Sequence, residues 1–231
     1  MSVLIAVAMP EEAAPFLAAA GTGPDDAERI GPAAVHRLTL ADTAVTLVRT
    51  GIGSVNAAAA TGAVLAIETP RVIISAGTAG GLSRVKVGDV VVGTSYRFTD
   101  VDATAFDYAP GQVPGMPERY ETDPSWDAAA AGVAAPADGA VHRGEMVSGD
   151  AFVTANTVDD VRRRFPRALS ADMETTALAQ VAYLMGVPFV AVRGISDLCG
   201  PAGAEDFRDH VDDAGDRAAQ VVLSLLTRRA G

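Results

Sequence analysis

Three short apolar runs restrict this chain more than anything else in it: SVLIAVA (2–8), VIISAG (72–77) and VPFVAVRGI (187–195). None alternates apolar with polar residues, as a strand with one wet face would. Runs of this kind fit strands covered on both faces, the condition of parallel sheets flanked by helices. Helix signals lie around them. Pro10, Glu11 and Glu12 follow the first run, with Pro at a first-turn position and acids near the positive end of the dipole. GIGSVNAAAATGAVLAIE (51–68) opens on glycines and continues as a helix. Phe207, Val211, Ala214, Ala218, Val221, Val222 and Leu225 recur at helical spacing and predict a long C-terminal helix covering one face. DVVVGTS (89–95) adds a strand, and AVHRLTL (34–40) with AVTLVRT (44–50) flank Ala41-Asp42-Thr43 as a hairpin. Strands alternating with helices predict an α/β fold, a three-layer α/β/α sandwich around a mixed central sheet.

The 231 residues suffice for one such domain, and no shift in composition marks a second. A formal charge of −11 disfavours nucleic acid and anionic membrane surfaces as partners, because no cationic face is available to displace counterions. A single cysteine, Cys199, excludes an intrachain disulfide and fits a reducing compartment. The opening MSVLIAVAMPEE lacks a basic segment and turns acidic at once, so it is expected to be a first strand and the protein cytoplasmic. His36, His142 and His210 have no metal-ligand spacing with one another or with the cysteine. Cys199 has no activating base beside it and is expected to be a small loop residue. Residues 99–121 lack periodicity yet carry Phe106, Tyr108 and Met116, which predicts a lid or subunit contact.

Four ionisable residues stand at the ends of the apolar elements. Glu12 follows the first strand, Glu174 opens a helix, Arg193 interrupts the strand 187–195, and Asp197 comes just after it. Stabilisation of helix N-termini, worth about 0.3–1 kcal/mol, would account for Glu12 or Glu174 taken singly. Asp197 could be an N-cap. Arg193 needs a partner or a ligand, since a cation within an apolar strand is otherwise costly. The glycine turns GIGSVN (51–56) and GTAGGL (77–82) put amide-rich backbone at the carboxyl ends of strands, where open α/β sheets bind ligands. GIGSVN could face an anion, although the dinucleotide fingerprint and the P-loop are both missing.

AMPEE (8–12), GIGSVNAA (51–58), AGTAGGL (76–82), VGDVVV (87–92), TAFDYAPGQVPGMP (104–117), VSGDAFV (147–153), DMETTALAQVA (172–182) and VPFVAVRGISD (187–197) together resemble the purine nucleoside phosphorylase superfamily. Within it they most resemble the 5′-methylthioadenosine/S-adenosylhomocysteine nucleosidases. The resemblance implies one nucleosidase domain over residues 1–231, a homodimer, and no metal or organic cofactor. It implies Glu12 as the base on the attacking water, and Asp197 as the acid at purine N7, steadied by Ser196. Glu174 would hold the ribose hydroxyls over Met173, with Arg193, Thr78, Ala79 and Gly80 nearby. Phe152 and Val153 would meet the adenine, and Met9, Ile52 and Phe207 would form walls. Phe106 and Pro114 would reach the neighbouring subunit's site. The family often has Ser where Thr78 stands. It commonly has Glu at the positions of Pro10 and Asp172, neither of which the implied mechanism needs. LCGPAGAED after Asp197 differs from many relatives.

The chemistry is consistent with those residue types. Breaking an N-glycosidic bond builds positive charge on the ribosyl ring and negative charge on the purine. An acid at the base and a carboxylate serving water across the anomeric carbon meet both needs, as in glycoside hydrolysis. Asp197 must then keep its proton near neutrality, which calls for an apolar site. Phosphorolysis would need a cationic cradle. No Lys or Arg precedes Arg29, Glu12 would repel phosphate, and Arg49 and Arg84 are expected to be surface charges, so hydrolysis is favoured. A futalosine or aminodeoxyfutalosine hydrolase is the alternative within the superfamily. A catalytically silent nucleoside-binding protein is the alternative of another class.

Overall fold

A computed structural model describes residues 2–230. The first strand, β1 (Val3–Val7), is fully buried and divides its side chains between two cores. Val3, Ile5 and Val7 point to one core, and Leu4 and Ala6 to the other. That split explains why the run does not alternate: both faces are covered. Helices α1 (Pro10–Ala20), α3 (Pro124–Ala130) and α6 (Gly203–Ala230) cover the first face, through Phe16, Leu17, Trp126, Val221 and Leu225. Helices α2 (Ser54–Leu65) and α5 (Thr175–Met185) cover the second, through Ala57, Val64, Leu178 and Ala182. The three-layer expectation holds.

The sheet is mixed. Strand β1 pairs in parallel with β4 (Thr43–Arg49) and β5 (Val72–Gly81), and β5 pairs in parallel with β10 (Phe189–Asp197). The hairpin forms as expected: β3 (Ala33–Leu40) runs antiparallel to β4, with Leu40 opposite Thr43. Ala41 and Asp42 carry φ of 45° and 57°, as a two-residue turn with both central residues left-handed requires. Beyond it the short β2 (Glu28–Ile30) ends the sheet.

The other side of the sheet closes on itself. Strand β6 (Val90–Phe98) pairs with β10 and with β8 (Val141–Ser148), and β8 pairs with β9 (Ala168–Asp172). Strand β9 returns to β5 at Gly80 and Gly81, so five strands form a ring. The sequence reading had no strands at 141–148 or 168–172, nor the helix α4 (Val158–Arg164). Strand β6 also carries the two-residue β7 (Tyr120–Glu121), which ends the long segment from Thr99.

This closure makes the opening for a ligand. Along one edge, β5 pairs with β1 as far as Ser75 and with β9 only from Gly80. From Ala76 to Ala79 that edge has no strand beside it. The glycines here lie within a strand, which corrects the expectation of a glycine turn at the strand's end. They are needed for space. A Cβ on Gly77, whose φ is +150°, would lie 2.3 Å from Glu12 Oε1 and 2.5 Å from Arg193 Nη1. A Cβ on Gly80 would lie 2.5 Å from Cys199 Sγ.

Candidate active site

The gap between β1 and β9 opens into a cleft of about 690 Å³, part of it open to solvent. Glu12 lies at one part of its wall. Helix α1 starts at Pro10, so Glu12 falls in its first turn and bends back over the N-terminus. Its Oε2 accepts from the amides of Ala8 at 2.8 Å and Met9 at 3.1 Å, the returning half of a capping box. Its Oε1 accepts from the Thr78 amide at 2.8 Å and hydroxyl at 3.0 Å. Glu12 thereby supplies the acceptor that a neighbouring strand would have given the Thr78 amide. Glu12 thus caps its own helix and lines the cleft at once.

Glu174 is the N-cap of α5, one residue before the helix and not within its first turn as expected. Its Oε1 accepts from the Gly53 amide at 2.8 Å, and Asp150 Oδ1 accepts from the Ser54 amide at 2.7 Å. The Gly53 and Ser54 amides of GIGSVN are thus partnered by the chain's own carboxylates, which corrects the expectation that they face an external anion. Burial pushes the Glu174 carboxyl up to about 7, with Arg193 pulling down and Asp172 and Glu12 pushing further up.

Arg193 is 1% exposed in β10 and has the partners its position demanded. Its Nε donates to Thr175 Oγ1 at 3.0 Å and its Nη2 to Ser75 Oγ at 2.8 Å. Three carboxylates surround it: Asp172 at 3.4 Å, Glu174 at 3.8 Å and Glu12 at 3.9 Å. It stands behind the cleft wall.

Asp197 is the last residue of β10 and caps no helix; α6 begins only at Gly203. Its Oδ2 accepts from Ser196 Oγ at 3.0 Å and its Oδ1 from the Cys199 amide at 2.8 Å. Burial raises its carboxyl above the usual range, and those two hydrogen bonds pull it part of the way back. Cys199 holds φ at +56°, and burial together with Asp197 pushes its thiol up to about 12, so it stays protonated.

The structure brings together most of the predicted residues. Met9, Glu12, Ile52, Thr78, Ala79, Gly80, Phe152, Val153, Met173, Glu174, Ser196, Asp197 and Phe207 all line the cleft. The Phe152 and Phe207 rings meet edge to face, with centroids 6.1 Å apart, and leave Phe152 43% exposed. Phe106, 78% exposed on a short turn (Thr104–Phe106), and the exposed Pro114 lie outside this cleft. Arg84 is exposed; Arg49 is half-buried, which corrects its reading as a surface charge, and neither lines the cleft. Sequence reasoning missed Asp172 and Cys199 as wall residues. The sequence signals for Asp172 are its place two residues before Glu174 and the Glu that the family commonly carries there. Among the described residues no group of His, Cys, Asp or Glu is arranged to hold a metal ion. No helix among them is long and apolar enough to cross a membrane.

The family model of the Phosphorylase superfamily matches residues 2–227. The chain belongs to this superfamily. The 5′-methylthioadenosine/S-adenosylhomocysteine nucleosidase of Oceanobacillus iheyensis is 39% identical over 191 residues, 82% of this chain and 83% of the relative. The nucleosidase of the same name from Neisseria meningitidis, solved in complex with methylthio-immucillin-A, superposes with a TM-score of 0.90 at 33% identity, covering 98% of both chains. A futalosine hydrolase of Helicobacter pylori superposes with a TM-score of 0.89 at 25% identity, covering 98% of this chain and 97% of that one. The superfamily member thus carries the fold and sheet expected of it.

Proposed function

We infer that this chain is a purine N-glycosyl hydrolase that cleaves 5′-methylthioadenosine and S-adenosylhomocysteine, releasing adenine and the 5′-thio-ribose. One observation carries the reading: Glu12 and Asp197, from the first and last strand regions, open on one cleft whose wall includes Phe152 and Phe207. In this mechanism the base stacks at Phe152 with its edge at Val153, and Asp197 delivers a proton to N7 as the glycosidic bond breaks. The raised Asp197 carboxyl supports that role. Glu174, over Met173, holds the ribose hydroxyls. Glu12 takes a proton from the water that attacks the anomeric carbon, with Thr78 and Arg193 fixing the carboxylate. Each of these general acid or base steps is worth about 10²–10⁴-fold in rate.

Hydrolysis is favoured over phosphorolysis because no Lys, Arg or His lines the cleft and the Gly53 and Ser54 amides already hold carboxylates. The same lack of a cation speaks against the bulky acidic 5′ substituent of a futalosine-type substrate. The intact Glu12, Glu174 and Asp197 set speaks against a silent binding protein. Residues 1–231 are read as one nucleosidase domain. The protein is read as a cytoplasmic homodimer in which Phe106 and Pro114 cover the neighbouring subunit's 5′-alkylthio group. Their exposure, and the exposed Val55, Tyr183 and Leu184 on α2 and α5, support that assembly.

The test is incubation with methylthioadenosine in phosphate-free buffer. Adenine and free methylthioribose are expected. Release only with phosphate, as a sugar phosphate, would make the protein a phosphorylase. Faster turnover of futalosine in a parallel assay would overturn the substrate assignment.

A further inference from the structure

Asp172 is the one buried carboxylate at the cleft to which the mechanism above gives no task. It ends β9, and the parallel pairing with β8 sets it opposite Ser148. Its side chain is 2% exposed. Oδ1 is crowded with donors: Ser148 Oγ at 3.0 Å, the Glu174 amide at 2.9 Å and the Thr175 amide at 2.8 Å. Asp172 therefore holds the peptide from which the Glu174 side chain leaves and satisfies an amide of the first turn of α5. Its other oxygen, Oδ2, accepts no hydrogen bond. The nearest cation to it is Arg193, whose Nε lies 3.4 Å away. Such a buried oxygen calls for an explanation.

We propose that Asp172 is a positioning residue of this site: Oδ1 fixes the backbone at Glu174, and Oδ2 keeps the Arg193 guanidinium within reach of Glu174 and Glu12. The proposal deepens the nucleosidase reading and rests on it. One guanidinium then faces three carboxylates that arrive from different elements, Glu12 of α1, Asp172 of β9 and Glu174 at the start of α5. Negative charge is left in excess beneath the site assigned to the ribose, where positive charge develops as the bond to the base breaks. Burial is the main cause of the raised Glu174 carboxyl, and Asp172 and Glu12 push it further up, against Arg193, so the charge on Asp172 contributes to the pH at which the ribose-facing group ionises.

The experiment compares Asp172→Asn and Asp172→Ala with the parent chain. An Asn oxygen can serve the amides of Glu174 and Thr175 but has no second oxygen for Arg193. Ala serves neither. With methylthioadenosine, Ala should lower kcat/KM about 100-fold, the cost of a misplaced reacting group, and Asn about tenfold. In the Asn variant the rise of KM at low pH should move to lower pH, because a negative neighbour of Glu174 is gone. A second readout is independent of turnover. The Glu174 contribution to folding is full below its ordinary value of 4.5 and is lost as pH rises through about 7. In the Asn variant that loss should occur at lower pH. Lower melting temperatures with unchanged KM and unchanged pH curves would reduce Asp172 to a structural cap and overturn the proposal. If the parent does not cleave methylthioadenosine but the stability curve still shifts, the nucleosidase reading fails while the positioning role stands.

Discussion

Glu12 receives two donors on each carboxylate oxygen, and that arrangement decides what a substitution there does. Glu12→Gln must turn an amide N–H₂ toward one donor pair. It removes the base and leaves buried amides unpaired, at about 1–3 kcal/mol. Turnover of methylthioadenosine should fall by about 10²–10⁴-fold while adenine still binds, since the base is assigned to the Phe152 side of the cleft. Near-normal turnover would refute the assignment. Asp197→Asn should lose turnover on the same scale, because an amide can hydrogen-bond to N7 but cannot pass it a proton. Glu174 titrates at about 7, and it binds ribose hydroxyls best as the ionised acceptor. KM should therefore rise as pH falls through 7, and Glu174→Gln should flatten that dependence. A KM–pH series on the two proteins checks it.

Strands were easiest to read where both faces are covered. SVLIAVA and VPFVAVRGI are apolar but for Ser2 and Arg193 because helices pack on each side, and the structure has strands at both. Strands β8 and β9 were missed for the opposite reason. They carry His142, Arg143, Glu145, Ser170 and Asp172, so no apolar run marks them; His142, Arg143 and Glu145 pair with Asp89, Asp127 and Arg97. The GTAGG glycines were seen but misplaced. A glycine run looks the same in a tight turn and in a strand crowded by side chains, and here the crowding comes from Glu12, Arg193 and Cys199, all remote in sequence. The carboxylates of the site are legible through the family resemblance, whereas Asp172 stands where the family commonly has Glu, a position the implied mechanism does not need. At the β3–β4 turn the sequence departs from what the geometry prefers: Ala41 is left-handed at φ 45°, which costs a residue with a Cβ about 1–2 kcal/mol. Ala41→Asn with Asp42→Gly supplies the preferred pair for this turn. The double variant should melt about 2–4 °C higher for each kcal/mol gained, with activity unchanged.

At the scale of the molecule, the cleft of one chain stays partly open to solvent. Phe106 and Pro114, the residues assigned to that group, sit exposed on a segment outside the cleft. A second copy is the economical source of a cover for that opening, and α2 offers the surface. Val55 is 75% exposed in its first turn, two residues after Gly53, whose amide holds Glu174. A charge placed there should separate the subunits without touching a residue of the cleft. Val55→Glu is thus expected to sediment near the 23.6 kDa of one chain, and the parent near twice that mass. If the partner's loop completes the site, the monomer should also bind methylthioadenosine more weakly, while adenine, which lacks the 5′ group, binds both forms alike. Phe106→Ala should reproduce the loss of methylthioadenosine affinity at dimer mass. A Val55→Glu monomer with the parent's KM would show that one chain holds the whole substrate, and the exposed Phe106 would need another explanation.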